Sequence, residues 1–196
     1  MDKLSGSEQF TFNNTDTGIT VSDYWSWAYS DLMNNTSRGA MAEFIVRSSF
    51  GITDMSYRVD WSPYDLLSPS GRRIEVKSAS FLQSWSEDYY SEIVFDIAPK
   101  RAWSPESGYA PVAKRHSDIY VFCLYKATSI DQSILNLDLW DFFVLPTCVL
   151  DIKLPSQKSI GLKSLQKLNP TKADYPTLWC VIDSIGIERT QYDEAT

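Results

Sequence analysis

The stretch "SPYDLLSPSGRRIEVKSAS", residues 62–80, decides how this chain is read. Pro69 suits the first central position of a type I turn, and Gly71 suits the left-handed residue that follows in a three-residue hairpin loop. With residues 69–71 as the loop, Ser68 faces Arg72 and, counting outward, Asp65 faces Glu75, whereas a four-residue loop would shift the pairing by one and place Asp65 opposite Ile74. Strand side chains alternate between faces. Tyr64, Leu66, Ile74 and Val76 therefore share an apolar face that predicts core, while Asp65, Leu67, Arg73, Glu75 and Lys77 share the other. Carboxylates directly opposite each other destabilise a strand pair, so something must offset Asp65 and Glu75. One solution is a salt-bridge cluster with Lys77 and Arg73. The other is a divalent ion: facing carboxylates, a neighbouring backbone carbonyl and several waters suit Mg²⁺, with Lys77 beside it to orient a water or stabilise developing negative charge.

Working outward, 196 residues with 43% hydrophobic content, 14% aromatic content and seven Trp predict one folded domain over 1–196. A polar segment, 1–20, stands outside its core, which is expected over about 22–150 with an extension from 151 to 196. The start has no apolar leader, and no run of 18 apolar residues exists to cross a bilayer, so a cytoplasmic protein with no membrane partner is expected. Cys123, Cys148 and Cys180 each sit among apolar residues, the context of reduced core thiols. With a single histidine, His116, a Cys/His zinc site is disfavoured and chemistry must rest on carboxylates, lysine or a bound ion. The net charge of −7 argues against a protein that coats nucleic acid generally, although basic residues gather between 72 and 115.

Periodicity predicts a helix over 22–35 capped by Ser22, carrying Tyr24, Trp25, Ala28 and Leu32 along one side. A second follows Ser37 and stops at Gly51, with Met41, Phe44, Ile45 and Ser48 on one face and Glu43 and Arg47 on another. Strands are expected over 57–67, 72–80 and 91–98, then a long basic loop over 99–117. "SDIYVFCLYKA" reads as a central strand buried on both faces, and "DFFVLPTCVL" as a further strand ended by Pro146. Residues 156–168 carry weak helical periodicity, and "ADYPTLWCVIDSIG" fits either a helix or a strand. The order predicts helices, a strand meander, then mixed elements around a mixed sheet.

Asp65, nine intervening residues and then Glu75-Val76-Lys77 on the next strand resemble the motif of the PD-(D/E)XK, or restriction-endonuclease-like, nuclease superfamily. Proline stands at 63 rather than directly before the aspartate. Glu43 on the upstream helix and Gln83 shortly after the lysine add to the resemblance, which spans roughly residues 37–125. It implies an α/β fold: a restriction-endonuclease-like core with a central mixed β-sheet flanked by helices, followed by an α+β extension. It implies Mg²⁺-dependent hydrolysis of a phosphodiester, with Mn²⁺ as a substitute ion. Asp65, Glu75 and the Val76 carbonyl would hold the ion, Glu43 would add a ligand directly or through water, Lys77 would serve the attacking water, and Gln83 would assist.

Glu43 has an equal alternative as an i,i+4 partner of Arg47. Arg73, Lys100, Arg101, Lys114 and Arg115 are candidates for the phosphate backbone, with a solvated loop as the plainer reading. Trp25, Trp27, Trp85 and Trp103 are candidates for base stacking, with packing as the commoner use. DNA is the expected partner. RNA stays open because nothing in the residues discriminates the 2′-hydroxyl, and a homodimer is an allowed assembly. The competing reading is a nuclease-fold module that binds nucleic acid or protein without cutting.

Overall fold

The computed structural model describes residues 2–51, 58, 62–83, 89–104 and 108–186. The polar start is folded rather than loose. β1 (Gln9–Phe12) and β2 (Thr15–Thr20) form a hairpin turned by Asn13 and Asn14, at φ 51° and 59°. Asparagine tolerates that left-handed backbone, which type I′ turns require. Helix α1 (Val21–Tyr29) is capped by Thr20, not Ser22, because Thr20 and Asp23 satisfy each other's backbone N–H in a capping box. None of its residues is buried, so the aromatic side expected for it does not join the core.

Helix α2 (Asn35–Ser48) starts earlier than expected: the Asn34 side chain accepts from the Ser37 N–H at 2.9 Å. Its buried face is Ala42, Ile45 and Val46 together with Arg38 and Glu43, whereas Phe44 is exposed. The core face is thus rotated from the predicted one, and the rotation turns Glu43 inward.

The hairpin loop closes as its turn chemistry predicts. Ser68 and Arg72 face each other, with Ser68 N–H donating to the Arg72 carbonyl at 2.9 Å, and Gly71 lies at φ 78°. The flanking strands are β3 (Leu66–Leu67) and β4 (Arg73–Ser80), paired Leu66 with Ile74 and Leu67 with Arg73 in the expected register. β3 is only two residues long, and the expected strand positions 57 and 59–61 lie outside the described residues.

Downstream come β5 (Val94–Asp96), β6 (Trp103–Ser104), β7 (Gly108–Tyr109) and β8 (Ile119–Tyr125), then β9 (Trp140–Pro146) and α3 (Thr147–Lys153). The chain ends in β10 (Ser159–Gly161), α4 (Leu162–Gln166), β11 (Thr171–Ala173) and α5 (Tyr175–Ser184). For the last segment the helix wins, since Asp174 and Thr177 form a capping box at its start.

The central sheet has the order β11-β9-β8-β4-β3, with β4 and β8 parallel and the other neighbours antiparallel. The expected meander is therefore replaced by a crossover from β4 to β8. A parallel neighbour cannot follow through a tight turn, and residues between 81 and 118 supply the connection. Every residue of β8 is buried, as its unbroken apolar run predicts.

Each face of the sheet has its own core. Ile74, Val76, Val121 and Cys123 pack with α2 and α5, and Ala79, Tyr120, Phe122 and Leu124 pack with β5, β10, α3 and α4. The protein is a mixed α/β structure in layers around this sheet. Of the three cysteines only Cys123 is buried; Cys148 and Cys180 are exposed on helices, against the expectation of core thiols. Among the described residues, no helix is long and apolar enough to cross a membrane.

Candidate active site

The regular β3–β4 ladder ends at Leu66, and Asp65 N–H still donates to the Ile74 carbonyl at 3.0 Å. Ile74 and Val76 direct their backbone groups to the same edge of β4, because direction alternates along a strand. At Val76 the partner is a side chain: the Asp65 carboxylate Oδ2 accepts the Val76 N–H at 2.7 Å. Asp65 therefore sits at the end of the β3–β4 ladder, with Glu75 close enough for its charge to act on it.

Glu75 and Lys77 share the opposite face from Ile74 and Val76. Glu75 is buried, and its Oε1 accepts from Lys77 Nζ at 2.5 Å and from Lys100 Nζ at 2.9 Å. The chain leaving β5 brings Lys100 to this carboxylate. Arg73, expected to help neutralise the acids, turns instead to Asp118, with Nη2 2.6 Å from Oδ1.

Charge separates the two acids. Burial pushes Asp65 up to about 6 from 3.8, and the like charges of Glu75 and Glu43 add to the rise against the Val76 hydrogen bond and Lys77. Burial also works to raise Glu75, but the Lys77 and Lys100 ammoniums hold it below the ordinary carboxylate range. Folded Asp65 thus keeps its proton between pH 3.8 and about 6, where the unfolded chain has released it. Its contribution to stability is greatest below that window and declines as pH rises through it. Asp65→Asn retains an oxygen for the Val76 N–H and removes the charge. In metal-free buffer at pH 8 it is expected to raise unfolding stability by about 1–3 kcal/mol, and at pH 4 by much less. Urea unfolding at the two pH values measures the difference, and equal shifts at both would refute the assignment.

Glu43 projects from α2 and is held by Arg58, with Nε 2.6 Å from Oε2 and Nη2 2.9 Å from Oε1. Sequence reasoning did not foresee that two-pronged pair with Arg58. Gln83 lies beyond the C-terminal end of β4, where it accepts from buried Arg38 at 3.3 Å and donates to the Ser80 carbonyl at 3.2 Å. Its hydrogen bonds tie it to Arg38 and the main chain, apart from the acids.

Among the proposed backbone contacts, Arg115 is buried and donates to the carbonyls of Ile97, Leu154 and Gln157 and to Asp151. Its guanidinium is engaged in holding the second core layer together. Arg101 and Lys114 are exposed, as are Trp25, Trp27 and Trp103; Trp85 lies outside the described residues. Arg58 at Glu43, Lys100 at Glu75 and Asp118 at Arg73 are the partners that sequence reasoning missed. No local signal marks them, since each is brought in from another element.

The oxygen atoms present fit a hard divalent ion in part. Asp65, Glu75 and the Val76 carbonyl, on the same edge as Asp65, give the kind of set that Mg²⁺ takes while keeping several waters. Burial first and then the like charge of Glu75 raise Asp65, so a positive charge beside it would favour its ionised form. Among the described residues no group of three or more His, Cys, Asp or Glu gathers as a metal cage. No protein-family model matches the chain, and no curated protein matches it either.

Proposed function

We propose that this protein hydrolyses phosphodiester bonds in DNA with the help of Mg²⁺, on a restriction-endonuclease-like core of the PD-(D/E)XK type. The observation that carries the reading is the meeting of Asp65, Glu75 and Lys77 at the β3–β4 edge, with two acids close enough to perturb each other. A five-stranded mixed sheet with a parallel pair at its centre and helices around it supports the fold assignment.

Asp65, Glu75 and the Val76 carbonyl would hold the ion, which when bound supplies Lewis-acid polarisation of a phosphate oxygen and a more acidic water. Lys77 is only 17% exposed and reaches Glu75 from the same strand face. From there its ammonium orients the attacking water and meets the negative charge that develops on the phosphate. Arg101, whose Nε donates to the Ala110 carbonyl, and Lys114 are exposed on the following loop and would contact the backbone of the substrate by charge.

A second reading is favoured by one observation: Glu75 already carries two ammoniums, as a module that binds without cutting could retain. The two separate when supercoiled, linear and branched DNA are incubated with Mg²⁺ or Mn²⁺. Metal-dependent cleavage of any of them supports the enzyme. No cleavage of any substrate, together with no Mn²⁺ binding by calorimetry, would sink it.

A further inference from the structure

We propose that Lys100 is a displaceable counter-ion of Glu75: a divalent ion takes its place at the carboxylate, and the released ammonium then takes a phosphate oxygen of the DNA. This rests on the nuclease reading and assigns a positioning and substrate-binding role to a residue outside the Asp65–Lys77 motif.

Two lysines converge on one oxygen, Glu75 Oε1, and they differ in kind. Lys77 comes from the same strand, two residues along, at 2.5 Å, and its side chain is 17% exposed. Lys100 comes from a separate segment at 2.9 Å, and its side chain is 53% exposed. Two ammoniums on one oxygen repel each other, and solvent weakens the hold of the outer one. A divalent ion approaching Glu75 therefore competes first with Lys100.

The main chain of Lys100 is braced, while its half-exposed side chain is held through Glu75. Its N–H donates to the Lys114 carbonyl at 2.9 Å, and its own carbonyl accepts from Lys114 N–H at 3.0 Å and from His116 Nε2 at 2.9 Å. An ammonium released from Glu75 thus stays tethered beside the acids. There it lies beside Lys77, whose ammonium shares the same Glu75 oxygen, and a compact ammonium is suited to a phosphate oxygen.

The test compares wild type, Lys100→Met and, as a control for the lost charge, Lys163→Met on the exposed side of α4. Mn²⁺ binding is measured by calorimetry on the full chain, and binding of a DNA duplex is measured in Ca²⁺ without turnover. Lys100→Met is expected to bind Mn²⁺ about two- to five-fold more tightly, the factor of a partly exposed ion pair, and DNA more weakly by a similar factor. Lys163→Met is expected to match wild type in both.

Mn²⁺ affinity in Lys100→Met equal to or below that of wild type overturns the displacement. Tighter Mn²⁺ binding with unchanged DNA affinity overturns the phosphate contact. An equal response of Lys163→Met reduces both effects to net charge and overturns the proposal. If neither wild type nor Lys100→Met binds Mn²⁺, the nuclease reading falls with it, so the failure of the inference and the failure of its premise look different.

Discussion

Lys77→Ala is expected to reduce metal-dependent DNA cleavage by about 10²- to 10⁴-fold, the range for loss of a positioned proton-transfer group or charge-stabilising donor. The argument rests on what remains after the substitution. Glu75 is buried, and removing its sole cationic partner would leave an uncompensated charge. Here Lys100 still holds Oε1 at 2.9 Å, so the fold survives and the loss is one of chemistry. Initial rates with saturating DNA, with circular dichroism as a check on folding, separate the two. A variant that cleaves within a few-fold of wild type would remove Lys77 from the mechanism. Lys77→Arg is also expected to be impaired, because the larger planar guanidinium must fit a position where the lysine side chain is only 17% exposed and cannot act as a compact point charge.

Arg115→Ala is expected to destabilise the protein by about 3 kcal/mol, mostly through the acceptors it leaves behind rather than through lost charge attraction. Arg115 is 99% buried at its side chain while its ionic partner Asp151 is 52% exposed, so Asp151 can be re-solvated. The guanidinium reaches the carbonyls of Ile97, Leu154 and Gln157 at 2.8, 2.9 and 3.2 Å; Leu154 also accepts from Gln157 N–H at 3.3 Å, and Gln157 is exposed, so the Ile97 carbonyl carries most of the expected cost. Unmet buried acceptors cost roughly 1–3 kcal/mol each, less where water can enter. Urea unfolding gives the change directly, and a loss under about 0.5 kcal/mol, the level of an ordinary surface substitution, would contradict the role. Arg115→Lys is expected to fall between, since an ammonium cannot span acceptors from three segments. A residue that reads as a phosphate contact in the sequence thus becomes a support for the layer that carries Lys100.

Local chemistry made the hairpin legible. Pro69 and Gly71 determine a three-residue loop whatever surrounds it, and the register of Leu66 with Ile74 follows from the loop. The all-apolar run 119–125 likewise identifies a strand covered on both faces, because nothing else in water tolerates it. Weak or absent periodicity hid α3 and the β10 strand, and the predicted face of α2 was rotated because Phe44 is left outside while Glu43 and Arg38 find polar partners inside. A hydrophobic wheel carries no knowledge of such partners.

The sequence by itself therefore determined the turn, the register and the three residue types of the candidate site: two acids and a lysine within 13 positions. Only the tertiary structure decided that β4 lies parallel to β8, that the Asp65 carboxylate accepts the Val76 N–H, and that Glu75 meets a second lysine 25 residues away. Turn geometry is set by the backbone preferences of adjacent residues. Charge compensation at a buried carboxylate is set by whatever the packing of distant segments brings within about 3 Å, and that has no local signature.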